Sequence, residues 1–221
     1  MEAAKYKIMG SDYVGVFATA TDEFVFVGTG LTKNSKDMLT SVLGVRCIEF
    51  NVSGSDLIGL FSRANSNGIV LSNITLENEL ESLKKMDLGI NVGIIESDLN
   101  AIGSNILTND KIAIVNPDYD AKEVEGIRDI LDVEVIKAKM DGFKTVGANN
   151  ILTNQGLVIN NRGTAQEQKE WDDMTGFTSV RTTANTGGLS IGLSVITNSN
   201  AVIAGDNTTG FELARIMEAL E

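Results

Sequence analysis

The chain has no histidine, one cysteine and one proline in 221 residues. Each scarcity excludes something. Without histidine there is no commonest general base, no usual transition-metal ligand and no Ser-His or Cys-His nucleophile pair. The lone cysteine, Cys47 in the apolar run VRCIEF, cannot form an internal disulfide and reads as a small core hydrophobe. No stretch approaches the roughly 18 apolar residues of a membrane span, and the N-terminal MEAAKYKIMG has no signal-peptide core. A cytoplasmic protein with no membrane contact is expected. Basic residues are also short, 18 against 30 acidic, for a net charge of −12. Such a chain repels phosphate backbones, and no Lys/Arg cluster offsets this, so DNA is not an expected partner. A basic protein partner is, because long-range steering favours it. The acidic residues are scattered, with no metal-ligand cluster. GTGLTKNS at Gly28 lacks Walker spacing and reads as a turn before a helix, and TGGLSIG at Thr186 is not a dinucleotide fingerprint. No cofactor is expected.

What is present is a repeat. NILTNDKIAIV begins at Asn105 and NILTNQGLVIN at Asn150. Related stretches surround Asn65 and Asn198, and Thr21 holds the place in a looser copy. The steps from Asn65 through Asn109 and Asn154 to Asn198 are 44, 45 and 44. Gly15, Gly59, Gly103, Gly147 and Gly192 mark the same beat, at 44, 44, 44 and 45. Self-similarity at a fixed period signals a repeat architecture. No linker or composition shift interrupts it, and the apolar content of 43% supports a large core. Residues 1–221 are therefore read as one domain of five units of about 44 residues.

The third copy shows the unit. Two short strands flank Asn109, which suits a hairpin turn because it tolerates positive φ and bonds its own backbone. Asn116 or Asp120 can then cap a helix, Pro117 suits a first turn, and Val124, Ile127 and Leu131 share one helical face. VEVIKA follows as a third strand. The second copy offers Leu76, Leu80 and Leu83 as its stripe, and the first Met38, Leu39, Val42 and Leu43. Thr164 with Glu167, and Thr209 with Glu212, have capping-box spacing. Trp171, Met174, Leu213, Ile216, Met217 and Leu220 are expected in the core. The fifth copy lacks a final strand, and the first is preceded by a spare one, KYKIM. If Lys5–Met9 fills the gap, the α/β units of strand, strand, helix and strand close into a ring without open edges.

Five such units in a closed ring resemble the pentein, or α-β propeller, fold. Its guanidine-modifying enzymes use a cysteine, a histidine and acidic residues near the axis. The absent histidine excludes that chemistry here. The stretches NVSGSDLIG, LNAIGSNILTND, VGANNILTNQG and VITNSNAVIAGDNTTGFEL instead resemble the translation initiation factor 6 family along essentially the whole chain. Gly205–Thr209 follow that family's Gly-Asp-x-Thr-Thr-like stretch, with Asn207 within it. The fourth copy departs from the pattern, carrying NNRGTAQ where members often have His-Pro. The chain lacks the tail of eukaryotic members and resembles the archaeal type. The resemblance implies a monomeric, non-enzymatic anti-association factor. Such a factor binds the large ribosomal subunit on its intersubunit face, against a ribosomal protein near the sarcin–ricin loop. It blocks joining of the small subunit until a GTPase system removes it. The alternative is a pentein that binds a small molecule or works through carboxylates.

Pseudo-symmetry places the loops before the five repeated glycines on one face of the disc. Asp12, Tyr13, Asp56, Leu57, Asn100, Lys144, Asn149 and Asn185 are expected exposed there. With Ser104 and Asn105 they form the candidate partner-binding set. The Asn65, Asn109, Asn154 and Asn198 series is expected to build hairpin turns instead.

Overall fold

A computed structural model describes residues 1–221. The chain forms five separate three-stranded sheets, one per repeat. After β1 (Glu2–Tyr6), the first unit has a 3-10 turn at Val14–Val16, β2 (Ala18–Ala20), β3 (Phe24–Val27), α1 (Lys33–Leu43) and β4 (Arg46–Glu49). The second has α2 (Ile58–Phe61), β5 (Ser62–Ala64), β6 (Gly68–Ser72), α3 (Glu77–Lys85) and β7 (Asn91–Ile95). The third has α4 (Ile102–Asn105), β8 (Ile106–Thr108), β9 (Ile112–Val115), α5 (Ala121–Leu131) and β10 (Glu134–Lys137). The fourth has α6 (Val146–Asn149), β11 (Ile151–Leu152), β12 (Leu157–Asn160), α7 (Ala165–Thr175) and β13 (Val180–Thr182). The fifth has α8 (Ile191–Ser194), β14 (Val195–Thr197), β15 (Ala201–Gly205) and α9 (Gly210–Leu220). In every sheet the first two strands form an antiparallel hairpin and the third lies parallel to the second.

The repeated glycines close the ring. A side chain at Gly59 would collide with the carbonyl oxygen of Gly15, one at Gly103 with that of Gly59, and one at Gly147 with that of Gly103. Gly192 meets the oxygen of Gly147, and Gly15 that of Gly192. Each unit thus sets a bare Cα against the backbone of the unit before it, in a cycle that returns to its start. Close backbone approach of this kind admits only glycine. The short helical turns that carry these glycines are an added element. They were not legible in the sequence because four residues show no periodicity and carry no cap.

The core lies at the seams between units. Val25, Leu39 and Leu43 of the first unit pack with Ile196, Ala201 and Ile203 of the fifth. Phe24, Phe26 and Ile48 of the first pack with Ile58, Ile69 and Leu83 of the second. The middle strands of the first, second and fifth units are buried throughout, as strands covered on both faces must be.

Several expectations shift. The closing strand is Glu2–Tyr6, paired from Glu2↔Ala201 to Tyr6↔Gly205. It ends at Tyr6, short of Met9, because Ile8 and Ser11 already close the next turn. It completes the fifth sheet, yet the five sheets stay unbonded to one another, so outer edges persist. Its side chains are exposed or half-buried, and Ile8 is the buried anchor of this segment. Pro117 precedes its helix, which Asp120 caps through Glu123 N–H at 2.8 Å. Leu76 sits at the helix start and Met174 on the outer face, both exposed. Cys47 is half-buried, and burial pushes its thiol up, aided by Glu49 and opposed by Lys36.

The hairpin turns correct the repeat register. The Asn65 side-chain oxygen accepts from the N–H groups two and three residues on, at 3.0 and 2.9 Å. Asn109 and Asn198 do the same. In the fourth unit this role belongs to Thr153, whose hydroxyl accepts from Gln155 and Gly156 at 3.1 and 3.3 Å. Asn154 stands one place later, with Asp22, Ser66, Asp110 and Ser199. Thr21 serves the first unit. The true series is Thr21, Asn65, Asn109, Thr153 and Asn198.

Candidate functional site: the turn-bearing face

Each loop before a repeated glycine joins the outer strand of one unit to the axial turn of the next. In four of the five it folds back as a tight turn, bridged at Ile8↔Ser11, Val52↔Ser55, Met140↔Phe143 and Ala184↔Gly188. The pairs Met9-Gly10, Ser53-Gly54 and Asp141-Gly142 all have positive φ, the signature of a type I′ turn. The third loop, Ser97–Ala101, has no such bridge.

The candidate residues separate into three groups. Tyr13, Asn100 and Lys144 are exposed. Asp12, Asp56, Leu57 and Asn185 are half-buried. Ser104, Asn105 and Asn149 are buried in the axial turns, which corrects the expected exposure of Asn149. Asn105 bonds Ala101 and Asn116, and Asn149 bonds Thr145 and Leu189. Their amides are thus matched inside the protein.

The half-buried carboxylates hold adjacent units together. Asp12 accepts from the backbone and side-chain nitrogens of Asn207 at 3.0 and 2.9 Å. Asp56, one repeat later, accepts from Gly30 N–H and Asn51 at 2.9 Å each. Lys144, at the same position two repeats further on, donates to Asp118 at 2.8 and 2.6 Å. In each case the loop residue reaches a segment following the middle strand of the preceding unit. The charge at this position is free to change sign because the tie needs only a donor facing an acceptor.

Further ties cross the seam between the fifth and first units. Asn185 donates to the Asp12 carbonyl oxygen at 2.9 Å and accepts from the Thr208 hydroxyl at 3.0 Å. Glu212 caps α9 and also holds the neighbouring turn. It accepts from Thr183 Oγ1 at 2.6 Å, Thr209 and Gly187 N–H at 2.8 Å, Thr209 Oγ1 at 2.9 Å and Thr186 N–H at 3.2 Å. Glu212 lies near the molecular surface, yet it is only 5% exposed. Burial alone would raise its carboxyl, but these hydrogen bonds outweigh that and hold it at about 2.

The fifth and first units also carry exposed large apolar side chains, of which the residue patterns singled out only Tyr13. Phe211 is 76% exposed, Met9 63% and Tyr13 47%. Phe211 is the residue before Glu212 and falls off the Leu213, Ile216 and Leu220 stripe. That mismatch was the available signal, since an aromatic outside a helix's buried face serves no core.

Two comparisons bear on fold and family. A DDAH from Pseudomonas aeruginosa complexed with citrulline superimposes with a TM-score of 0.53 at 11% identity, over 90% of this chain and 97% of that one. A dimethylarginine dimethylaminohydrolase carrying an S-methyl-L-thiocitrulline adduct gives 0.55 at 10% identity, over 90% and 96%. These likenesses establish the pentein fold. In sequence, the translation initiation factor 6 of Methanosarcina acetivorans is 38% identical over 96% of this chain and 95% of that protein. The one from Pyrococcus horikoshii is 35% identical over 100% and 99%, and the one from Saccharolobus islandicus 31% over 100% and 99%. The eIF-6 family model matches residues 3–219. With the ring, its five units and the whole length accounted for, the chain belongs to the eIF-6 family and shares a translation initiation role with its relatives.

Proposed function

We propose that the protein binds the large ribosomal subunit at its intersubunit face and sterically prevents premature joining of the small subunit. It acts as a cytoplasmic monomer without catalysis. Family membership carries the reading. The net charge of −12 and the absence of histidine agree with it, favouring a basic ribosomal protein over RNA as the direct contact. No helix is long and apolar enough to cross a membrane.

The contact is proposed on the turn-bearing face, over the fifth and first units. Exposed Met9, Tyr13 and Phe211 supply aromatic and flexible apolar anchors there, and Asp12 and Asp56 an acidic rim. Leu57, Asn100, Lys144 and Asn185 extend the same face. Binding kinetics to purified large subunits at two salt concentrations, with circular dichroism as folding control, test this. Phe211→Ala and Tyr13→Ala speed dissociation, by about tenfold for a residue worth ~1.4 kcal/mol. Asp12→Asn and Asp56→Asn, which remove the charge but keep an acceptor oxygen for Asn207 and Gly30, slow association and weaken its salt dependence. If all four variants fold, bind and block joining like the parent, the contact does not lie on this face.

A further inference from the structure

Between the ring of glycines and the ring of hairpin turns, the first strands of the five units face the axis. Residues 19, 63, 107, 151 and 196 are equivalent there, and they are Thr, Arg, Leu, Ile and Ile. All five line one cavity of about 50 Å³. A single water needs roughly 10–15 Å³ of such space. The cavity therefore admits a few waters or one small ion, and no organic ligand.

Four buried side-chain polar atoms in the protein have no hydrogen-bond partner: Thr19 Oγ1, Arg63 Nε, Ser72 Oγ and Tyr119 Oη. Two of the four belong to residues lining this one cavity. Arg63 makes a single hydrogen bond, from Nη2 to the Gly103 carbonyl oxygen at 2.5 Å. It takes part in none of the ion pairs. Asp22 and Asp110 stand at the hairpin end of the axis, and Ser199, Ser66 and Asn154 already bond them. The other polar liners are also engaged: Thr108 with Asn109 and Ile112, Thr197 with Asn198 and Ala201, Asn150 with Val146 and Asn160. Arg63 is half-buried and lines this partly open axial cavity. Burial lowers its guanidinium to about 10, so it stays charged at neutral pH.

A buried charge without a counter-charge costs several kcal/mol, whereas a paired one can be offset. The unmet N–H donates only, and the Thr19 hydroxyl is free to donate, so the matching ligand accepts hydrogen bonds and is negative. The remaining walls, Leu107, Ile151, Ile196, Ala18, Ala20 and Ala64, offer nothing to a strongly hydrated ion. We infer that the axial cavity binds one small, weakly hydrated monovalent anion of the halide class, held between the Arg63 guanidinium and the Thr19 hydroxyl. The anion supplies the counter-charge that no carboxylate provides and joins the first and second units at the centre of the ring.

Bromide is the probe. Crystals of the full chain soaked in sodium bromide, with data collected at the bromine absorption edge, show an anomalous peak beside Arg63. In parallel, the melting temperature of the parent rises by a few degrees across a hundredfold increase in bromide, relative to bulky gluconate at equal ionic strength, because the ligand binds only the folded state. Arg63→Leu, which gives this unit the apolar residue found in three others, loses the peak and the bromide response. An axial cavity without a peak overturns the assignment. So does a peak that persists in Arg63→Leu crystals, which marks an adventitious ion only, or a variant that gains as much from bromide as the parent. The crystal measurement on the parent stands whether or not the variant folds.

Discussion

At one end of the axis all five units present glycine; at the other they present Thr21, Asn65, Asn109, Thr153 and Asn198 in the equivalent turn. Both rings tie neighbours together, and the difference lies in what the tie consists of. The glycine ring is a steric exclusion between backbones, which admits no side chain. The hairpin ring is a hydrogen-bonding task with two parts. Either residue type can hold its own turn, but only the longer amide reaches the next unit. Asn65 donates to Asn109 and Leu131 carbonyl oxygens, and Asn198 to those of Thr21 and Leu43. Leu131 and Leu43 end α5 and α1, so these two asparagines also occupy a helix-terminal carbonyl, whereas Asn109 reaches only that of Thr153. Thr21 and Thr153 leave that second part undone.

The comparison is broken most severely at the glycine end. Gly103→Ala sets a methyl group against the Gly59 and Ser62 carbonyl oxygens, and neither belongs to a flexible side chain. The expected loss is about 3 kcal/mol or more, the upper range for overpacking, read as a fall in the denaturant midpoint. A midpoint unchanged from the parent means the ring is loose enough to yield and the steric account fails.

The hairpin end responds in two steps. Asn65→Ala removes four hydrogen bonds in a buried site, for about 2–3 kcal/mol. Asn65→Thr keeps the turn bonds, as Thr153 does, and loses only those to the next unit, for about 1–2 kcal/mol. Equal losses in the two variants would show that the cross-unit bonds contribute nothing.

These rings also show why part of the fold was legible in sequence and part was not. An invariant steric demand leaves an invariant letter, so the glycine beat marks every unit. A demand that two residue types can meet leaves a blurred beat, and counting asparagines alone placed the fourth turn one residue late. The ties at Asp12, Asp56 and Lys144 connect different units, so no local pattern records them. The burial of Asn105 and Asn149 was hidden for the same reason: the groups they bond and the units that cover them are set by the ring. Tyr13, Asn100 and Lys144 were legible as exposed from the repeat alone, and Phe211 only from its mismatch with the buried stripe of α9.

An effect of similar size sharpens the comparison away from the axis. Glu212 holds the turn at Thr186-Gly187 with a carboxyl at about 2, below the usual range near 4.3. A folded-state value below the unfolded one contributes stability that is present above the unfolded value and lost as pH falls through the folded one. About 2 kcal/mol is expected to vanish between roughly pH 4.5 and pH 2. Glu212→Gln should flatten that part of the stability profile, measured by urea midpoints along the pH series. An identical slope in both proteins would assign the acid sensitivity to other carboxylates.

The pairing of β1 with β15 has a consequence for the order in which the protein is made. Residues 2–6 emerge from the ribosome long before their partners, residues 201–205. Until those arrive, the first strand has no sheet to join, and the seam between the first and fifth units stands open. Four units can pack in sequence as they are synthesised, each against the one before. The seam that closes the ring is therefore the last to form, and it forms between a segment made early and one made late.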